Sequence, residues 1–160
     1  MEDKKFDIVL TTTACSRSEL HKQVLSDIPR FLSGYNCKWI IRIDSIEEDA
    51  DVTKQVLEDI LDYDYIDLDV YVSGNNAGRI SWYESTKFCI NKAFEYKSDI
   101  GYFWLEDDWK LDTTSSLAEI MPETANDNYY ISLAGRNVLN FNPCIWSSDL
   151  FEKYMVNKIN

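Results

Sequence analysis

Strand-like and helix-like segments alternate four times between residue 6 and the acidic run at 106–108, and this pattern narrows the fold more than any other feature. Phe6 to Thr12 has the apolar, β-branched character of a buried strand. Ser16 and Glu19 have capping-box spacing, and Leu20, Val24 and Leu25 fall on one helical face behind them. Pro29 is expected to break or kink that helix, with Gly34 past its end. Lys38 to Asp44 reads as a second strand. Ser45 and Glu48 repeat the capping-box spacing ahead of a helix carrying Val52, Val56, Leu57 and Ile60. Leu68 to Ser73 alternates more clearly, as a strand nearer a sheet edge does. After a loop at 74–79, a longer helix over 80–96 is expected to bury Phe88, Ile90 and Phe94. Ile100 to Leu105 is a fourth strand. A short helix over 116–121, strands over 129–133 and 138–141, and a helix over 148–157 complete the reading.

Such alternation implies right-handed βαβ units on a mainly parallel sheet, an α/β sandwich. A length of 160 residues suits one domain with a single core. No apolar run is long enough to span a bilayer and the N-terminus lacks a signal-peptide core, so no transmembrane segment is expected. Cys15, Cys37, Cys89 and Cys144 are widely spaced and contain no C-x-x-C. They read as reduced, mostly buried thiols, consistent with a cytoplasmic, reducing compartment. With 28 acidic against 16 basic residues the net charge is −12, which excludes non-specific binding to nucleic acid and docking to an anionic membrane. An acidic protein that binds an anionic ligand needs a cation or a few placed basic groups.

In sheets of this kind ligands sit at the carboxyl ends of the strands. Those ends carry Thr11, Thr12 and Arg17, then Asp44, then Asn75, Asn76 and Arg79, then Glu106, Asp107 and Asp108. Asp44 also suits a helix cap. The fourth end is the most informative, because apolar Trp104 and Leu105 give way to three consecutive carboxylates and then Trp109. Carboxylates this close raise one another's pKa unless a cation sits among them, and hard oxygen donors suit Mg2+ or Mn2+.

Tyr102 to Trp109, with its Glu-Asp-Asp core, resembles the acidic DXD motif that ends the fourth strand of GT-A glycosyltransferases, of family-2 and N-acetylglucosaminyltransferase type. The resemblance extends over about residues 6–155. It implies a single GT-A-like catalytic domain over 1–160, an α/β/α sandwich whose mainly parallel sheet has a mixed edge and whose C-terminus is short for the fold. It further implies a nucleotide-sugar donor, UDP- or GDP-linked, a glycan or other hydroxyl acceptor, and Mn2+ or Mg2+ as cofactor. By position, Asp108 is implied as the direct metal ligand. Glu106 and Asp107 are implied to face the ribose, or to reach the metal through water. Thr11, Thr12 and Arg17 would lie beside base and ribose, and Asp44 would contact the base. Asn76 to Gly78 resembles the Asn-x-Gly turn of family-2 enzymes, with Arg79 approaching the diphosphate. The Ile80 to Ser85 segment departs from the Ala-Arg-Asn run usual after that turn, and His21 cannot match the late metal-binding histidine of many members.

Asp149, with Glu152, follows a segment resembling the family's acceptor side, and Asp149 is the candidate general base. Trp39, Trp82, Trp104 and Trp146 read as core, Trp109 as a substrate contact. The leading alternative is a nucleotide-sugar-binding domain without transfer activity. A nucleotidyltransferase is disfavoured because Thr11 to Ser16 contains no glycine, and a response-regulator-like domain because no lysine ends a late strand.

Overall fold

Side chains alternate between the two faces of a strand, so a strand apolar on both faces must be covered on both. The first strand, β1 (Lys5–Cys15), is of this kind. Ile8, Leu10 and Ala14 enter the apolar cluster on one face, while Phe6 and Val9 enter the other. Phe6 and Ile8 lie two residues apart yet face opposite ways, because the pairing register shifts between them.

The computed structural model describes residues 5–46, 49–73, 78–111, 114–121, 130–132 and 144–159. After β1 come α1 (Ser18–Val24), α2 (Ile28–Leu32), β2 (Cys37–Asp44), α3 (Ala50–Ile60), β3 (Ile66–Ser73), α4 (Gly78–Ala93) and β4 (Lys97–Trp104). Then follow α5 (Leu117–Ile120), β5 (Tyr130–Ser132), β6 (Cys144–Ser147) and α6 (Ser148–Ile159). The strands form one sheet in the order β3-β2-β1-β4-β6-β5. β3, β2, β1 and β4 are parallel, and β6 runs antiparallel to both β4 and β5. The first face packs against α1, α2, α3 and α5, and the second against α4 and α6. This is the mainly parallel α/β sandwich that the alternation implied, in the α/β/α form with a mixed edge that the resemblance implied. Among the described residues no helix is long and apolar enough to cross a membrane.

Trp39 and Trp104 are fully buried, as expected, and Trp39 Nε1 satisfies itself by donating to Thr12 Oγ1 at 3.0 Å. Edge strand β3 is pinned to β2 by buried Lys38, whose Nζ bridges Asp67 at 2.7 Å and Asp69 at 2.8 Å. Three of the four free cysteines are buried and Cys15 is half-buried.

Several local expectations change. Ser16 caps no helix: α1 starts at Ser18 behind Arg17, and Ser16 Oγ instead accepts from the Ile46 amide at 2.8 Å. The cap of α3 is Asp49, whose side chain accepts from the Asp51 amide, and not Ser45 or Asp44. Pro29 does not kink one helix; it occupies the first turn of a second, α2, where its missing N–H costs nothing. Gly34 does lie past that helix, at φ +96°. The strand expected over 138–141 lies outside the described residues, and β6 occupies 144–147, a stretch given no strand from sequence.

Candidate functional site

The sheet order places the site. The chain lays β1, β2 and β3 outward in one direction, then returns through α4 to place β4 on the other side of β1. The loops leaving β1 and β4 therefore diverge and leave a crevice at their carboxyl ends, the usual ligand position in open α/β sheets. A cleft of about 380 Å³ lies there, lined by Thr13, Ala14, Cys15, Arg17, Asp44, Ile46, Trp82, Glu106, Asp107 and Asp108. Its volume suits a small organic ligand.

The acidic turn divides its three carboxylates among three environments. The Leu105 amide still pairs with the Thr11 carbonyl at 3.0 Å, after which the chain turns. Asp107 points back into the protein, its side chain 8% exposed. Its Oδ2 accepts from the Cys15 amide at 2.9 Å and lies 2.9 Å from His21 Nε2, while Arg17 donates to Oδ1 at 3.2 Å and to Oδ2 at 3.0 Å. Burial pushes this carboxyl up, but the His21 and Cys15 hydrogen bonds and the charges of Arg17 and His21 outweigh it and hold the pKa below the ordinary value. Asp107 is thus a pin between the ends of β1 and β4, and its charge is matched by groups of the protein.

Glu106 is half-buried on the cleft wall, and its Oε2 accepts from Trp109 Nε1 at 3.0 Å. Its pKa is raised, chiefly by burial and further by Asp108 and Asp107, against the opposing effect of the Trp109 bond. Asp108 is exposed at the cleft. Among the described residues no three His, Cys, Asp or Glu side chains are arranged to hold a metal ion. Glu106 and Asp108 supply two hard oxygen donors on one wall, a set that fits Mg2+ or Mn2+ completing their shells with water and substrate phosphate.

Asp44 ends β2, on the far side of β1 from the acidic turn, so the two lie about 10 Å apart at ordinary strand spacing. It is 6% exposed, and its Oδ1 accepts from Ser85 Oγ of α4 at 2.8 Å. The Ser16 amide donates to the Asp44 carbonyl at 3.0 Å, tying the ends of β1 and β2 together. Ile46 and Trp82, 52% and 45% exposed, give the cleft an apolar wall beside Asp44.

Of the residues singled out from sequence, Arg17, Asp44, Glu106, Asp107 and Asp108 meet in this cleft. Thr11 and Thr12 do not. β1 runs on to Cys15, so both threonines are buried within the sheet and Thr13, Ala14 and Cys15 take the rim. Asn75 and Asn76 lie outside the described residues, and Arg79 is placed only by its backbone, in the first turn of α4. Asp149 lies off the cleft. β6 is antiparallel to β4, with Cys144 beside Trp104 and Ser147 beside Gly101, so α6 begins at the opposite edge of the sheet. Ser148 Oγ donates to the Ser98 carbonyl at 2.9 Å there. Glu152 sits near Tyr102, whose hydroxyl is pushed up to about 12 by burial and then by the Glu152 charge.

Trp82 is a cleft residue where core packing was expected, while Trp109 packs against the core and holds Glu106 where a substrate contact was expected. Sequence reasoning missed His21, Ser85 and Ile46. Only the exposed apolar Ile46, straight after a strand end, left a local signal.

No family model matches the chain, and no curated protein matches it. Among solved structures the chain is similar to a mannosyltransferase from Pyrobaculum calidifontis in complex with GDP-Man and Mn2+, at 9% identity and a TM-score of 0.47. The match covers 69% of this chain and 30% of that one. The likeness is distant, and the functional reading rests on the site's own residues.

Proposed function

We propose that this chain binds a nucleoside-diphosphate sugar and transfers the sugar to an acceptor hydroxyl, as a GT-A-type glycosyltransferase domain. One observation carries the reading: Glu106 and Asp108 at the end of β4 share a single cleft with Asp44, two strands away, and with the apolar wall of Ile46 and Trp82. A nucleoside diphosphate has the matching layout, with a flat base at one end and a charged diphosphate at the other.

In this reading the base lies between Ile46 and Trp82 with an N–H toward Asp44. The diphosphate lies toward β4. Glu106 and Asp108 hold a divalent cation, which supplies charge neutralisation for the departing diphosphate when bound. The protein's own contribution is orientation. Asp107 fixes Arg17 on the cleft wall, giving this acidic protein (net charge −12) a positive group beside an anionic ligand. Trp109 fixes Glu106.

A second reading, donor binding without transfer, is favoured by the position of Asp149 away from the cleft. Incubation with UDP- and GDP-sugars, Mn2+ and a mixed acceptor panel, read as released nucleoside diphosphate and glycosylated product, tests the proposal. Product supports transfer. Tight donor binding without product supports the second reading, and neither binding nor product overturns both.

A further inference from the structure

We infer that Lys38, Asp67 and Asp69 keep the open edge of β3 from pairing with a second copy of this chain. β3 ends the described sheet on its side. It is 8 residues long, has no proline or glycine, and pairs with β2 without a break in register. An edge of that length and regularity is a template for another strand unless something opposes the pairing. The inference does not depend on the nucleotide-binding reading above.

Asp67, Asp69 and Tyr71 alternate onto one face of β3, the face on which Tyr71 meets Phe88 of α4. α4 packs over β1 and β2, so the share of that face belonging to β3 stays half open. Lys38 Nζ bridges Asp67 Oδ1 and Asp69 Oδ2 and lies 5.0 Å from the centre of the Tyr96 ring. The Tyr96 hydroxyl also donates to Asp69 Oδ2, at 3.1 Å. One buried ammonium thus serves two carboxylates, and these remain 31% and 29% exposed to water.

A strand added to β3 would set its side chains about 5 Å from Asp67 and Asp69 and remove that water. Stripping hydration from a carboxylate is costly unless a new partner replaces it, and the one ammonium at hand is already shared. A second copy supplies no such partner. Antiparallel pairing of β3 with its own copy about a two-fold axis keeps like faces together, so odd-numbered residues stand opposite odd-numbered ones. In the registers of greatest overlap Asp69 lies opposite or diagonal to its own counterpart, where like charges repel. The three residues that clamp β3 to β2 therefore also guard its outer edge.

The test replaces all three with uncharged groups that suit a strand: Lys38→Met together with Asp67→Thr and Asp69→Thr. Threonine favours a strand, and its hydroxyl still accepts from Tyr96. Exchanging a whole buried ion triad, rather than one member, is compatible with a stable fold. Sedimentation equilibrium and amide hydrogen exchange are then compared with the native chain over a wide concentration range. The triple variant is expected to dimerise at least about tenfold more tightly than the native chain, the least expected once carboxylate desolvation no longer opposes pairing. Its exchange should slow with concentration along β3. A folded variant that associates no more than the native chain would overturn the inference, as would association that leaves exchange along β3 unchanged. Asp67→Asn, which keeps the Lys38–Asp69 pair, should shift association the same way by a smaller factor. If the triple variant does not fold, Asp67→Asn decides: association no stronger than that of the native chain overturns the inference.

Discussion

His21 Nε2 lies 2.9 Å from Asp107 Oδ2, and that contact joins α1 to the turn after β4 across 86 residues of sequence. His21 is fully buried and its Nδ1 has no hydrogen-bond partner among the described residues, so the ring's polar anchor there is Asp107. The middle acid of the Glu-Asp-Asp run is therefore part of the framework, and the two outer acids are left on the cleft wall.

Removing the Asp107 charge leaves Arg17 without its counter-charge and buried His21 without its carboxylate partner. Asp107→Asn is expected to cost about 3–5 kcal/mol at pH 7, the range for breaking a buried ion pair. Because the native pKa is lowered, the stabilisation is present above the unfolded value of about 3.9 and is lost as pH falls through the native value. Denaturant unfolding at pH 7 and near pH 3 should show the deficit shrinking at the acid end. An equal deficit at both would contradict the assignment.

Glu106 has the opposite sign. Its raised native pKa means the fold favours the protonated form, a contribution present below the unfolded value of about 4.3 and lost as pH rises through the native value. In metal-free buffer at pH 7, Glu106→Gln should melt no lower than the native chain, and a few degrees higher if the relieved penalty approaches about 1 kcal/mol. Mn2+ with a nucleoside diphosphate should reverse that order, since the variant loses a ligand. A variant stabilised by Mn2+ and nucleotide as strongly as the native chain would remove Glu106 from the site.

Trp82 is 45% exposed, so its truncation leaves the core untouched. Trp82→Ala should keep its melting temperature within a degree or two and lose about tenfold in nucleotide affinity, at the lower part of the range for stacking a base on an aromatic ring. Unchanged affinity would place the base elsewhere.

Asp149 stands in the first turn of α6, where an acid is favoured by the helix dipole by about 0.3–1 kcal/mol. Asp149→Ala should lower stability by that amount and leave nucleotide affinity within twofold. A large loss of binding would show that the start of α6 reaches the cleft.

The four strand–helix units were legible because short apolar, β-branched runs alternate with segments of helical periodicity, and β1 and β2 are buried along nearly their whole length. The end of β4 was legible because Trp104 and Leu105 turn to three acids at one point. The end of β1 was misplaced by three residues: Thr13 to Cys15 continue the strand past Thr12, and the β-branched character of Thr13 was the signal. The Asp107 pin could not be seen, because its partners Cys15, Arg17 and His21 are 86 to 92 residues away and nothing local marks them. That Asp149 starts a helix away from the acidic turn could not be seen, because a strand followed by a helix looks the same whichever way the strand runs. Only the antiparallel pairing of β6 with β4 reveals that α6 leaves from the other edge.

In the proposed site Glu106 and Asp108 bind a divalent cation together with a nucleoside diphosphate. The test is titration of Mn2+ followed by the electron paramagnetic resonance of the free ion, with and without UDP, on the native chain and on Asp108→Ala. The native chain should take up Mn2+ much more tightly with UDP present than without, and Asp108→Ala should lose at least about tenfold in affinity, the least that loss of even an outer-shell partner of a metal ligand costs. Uptake in Asp108→Ala equal to that of the native chain, or no uptake by the native chain with nucleotide present, would contradict the account.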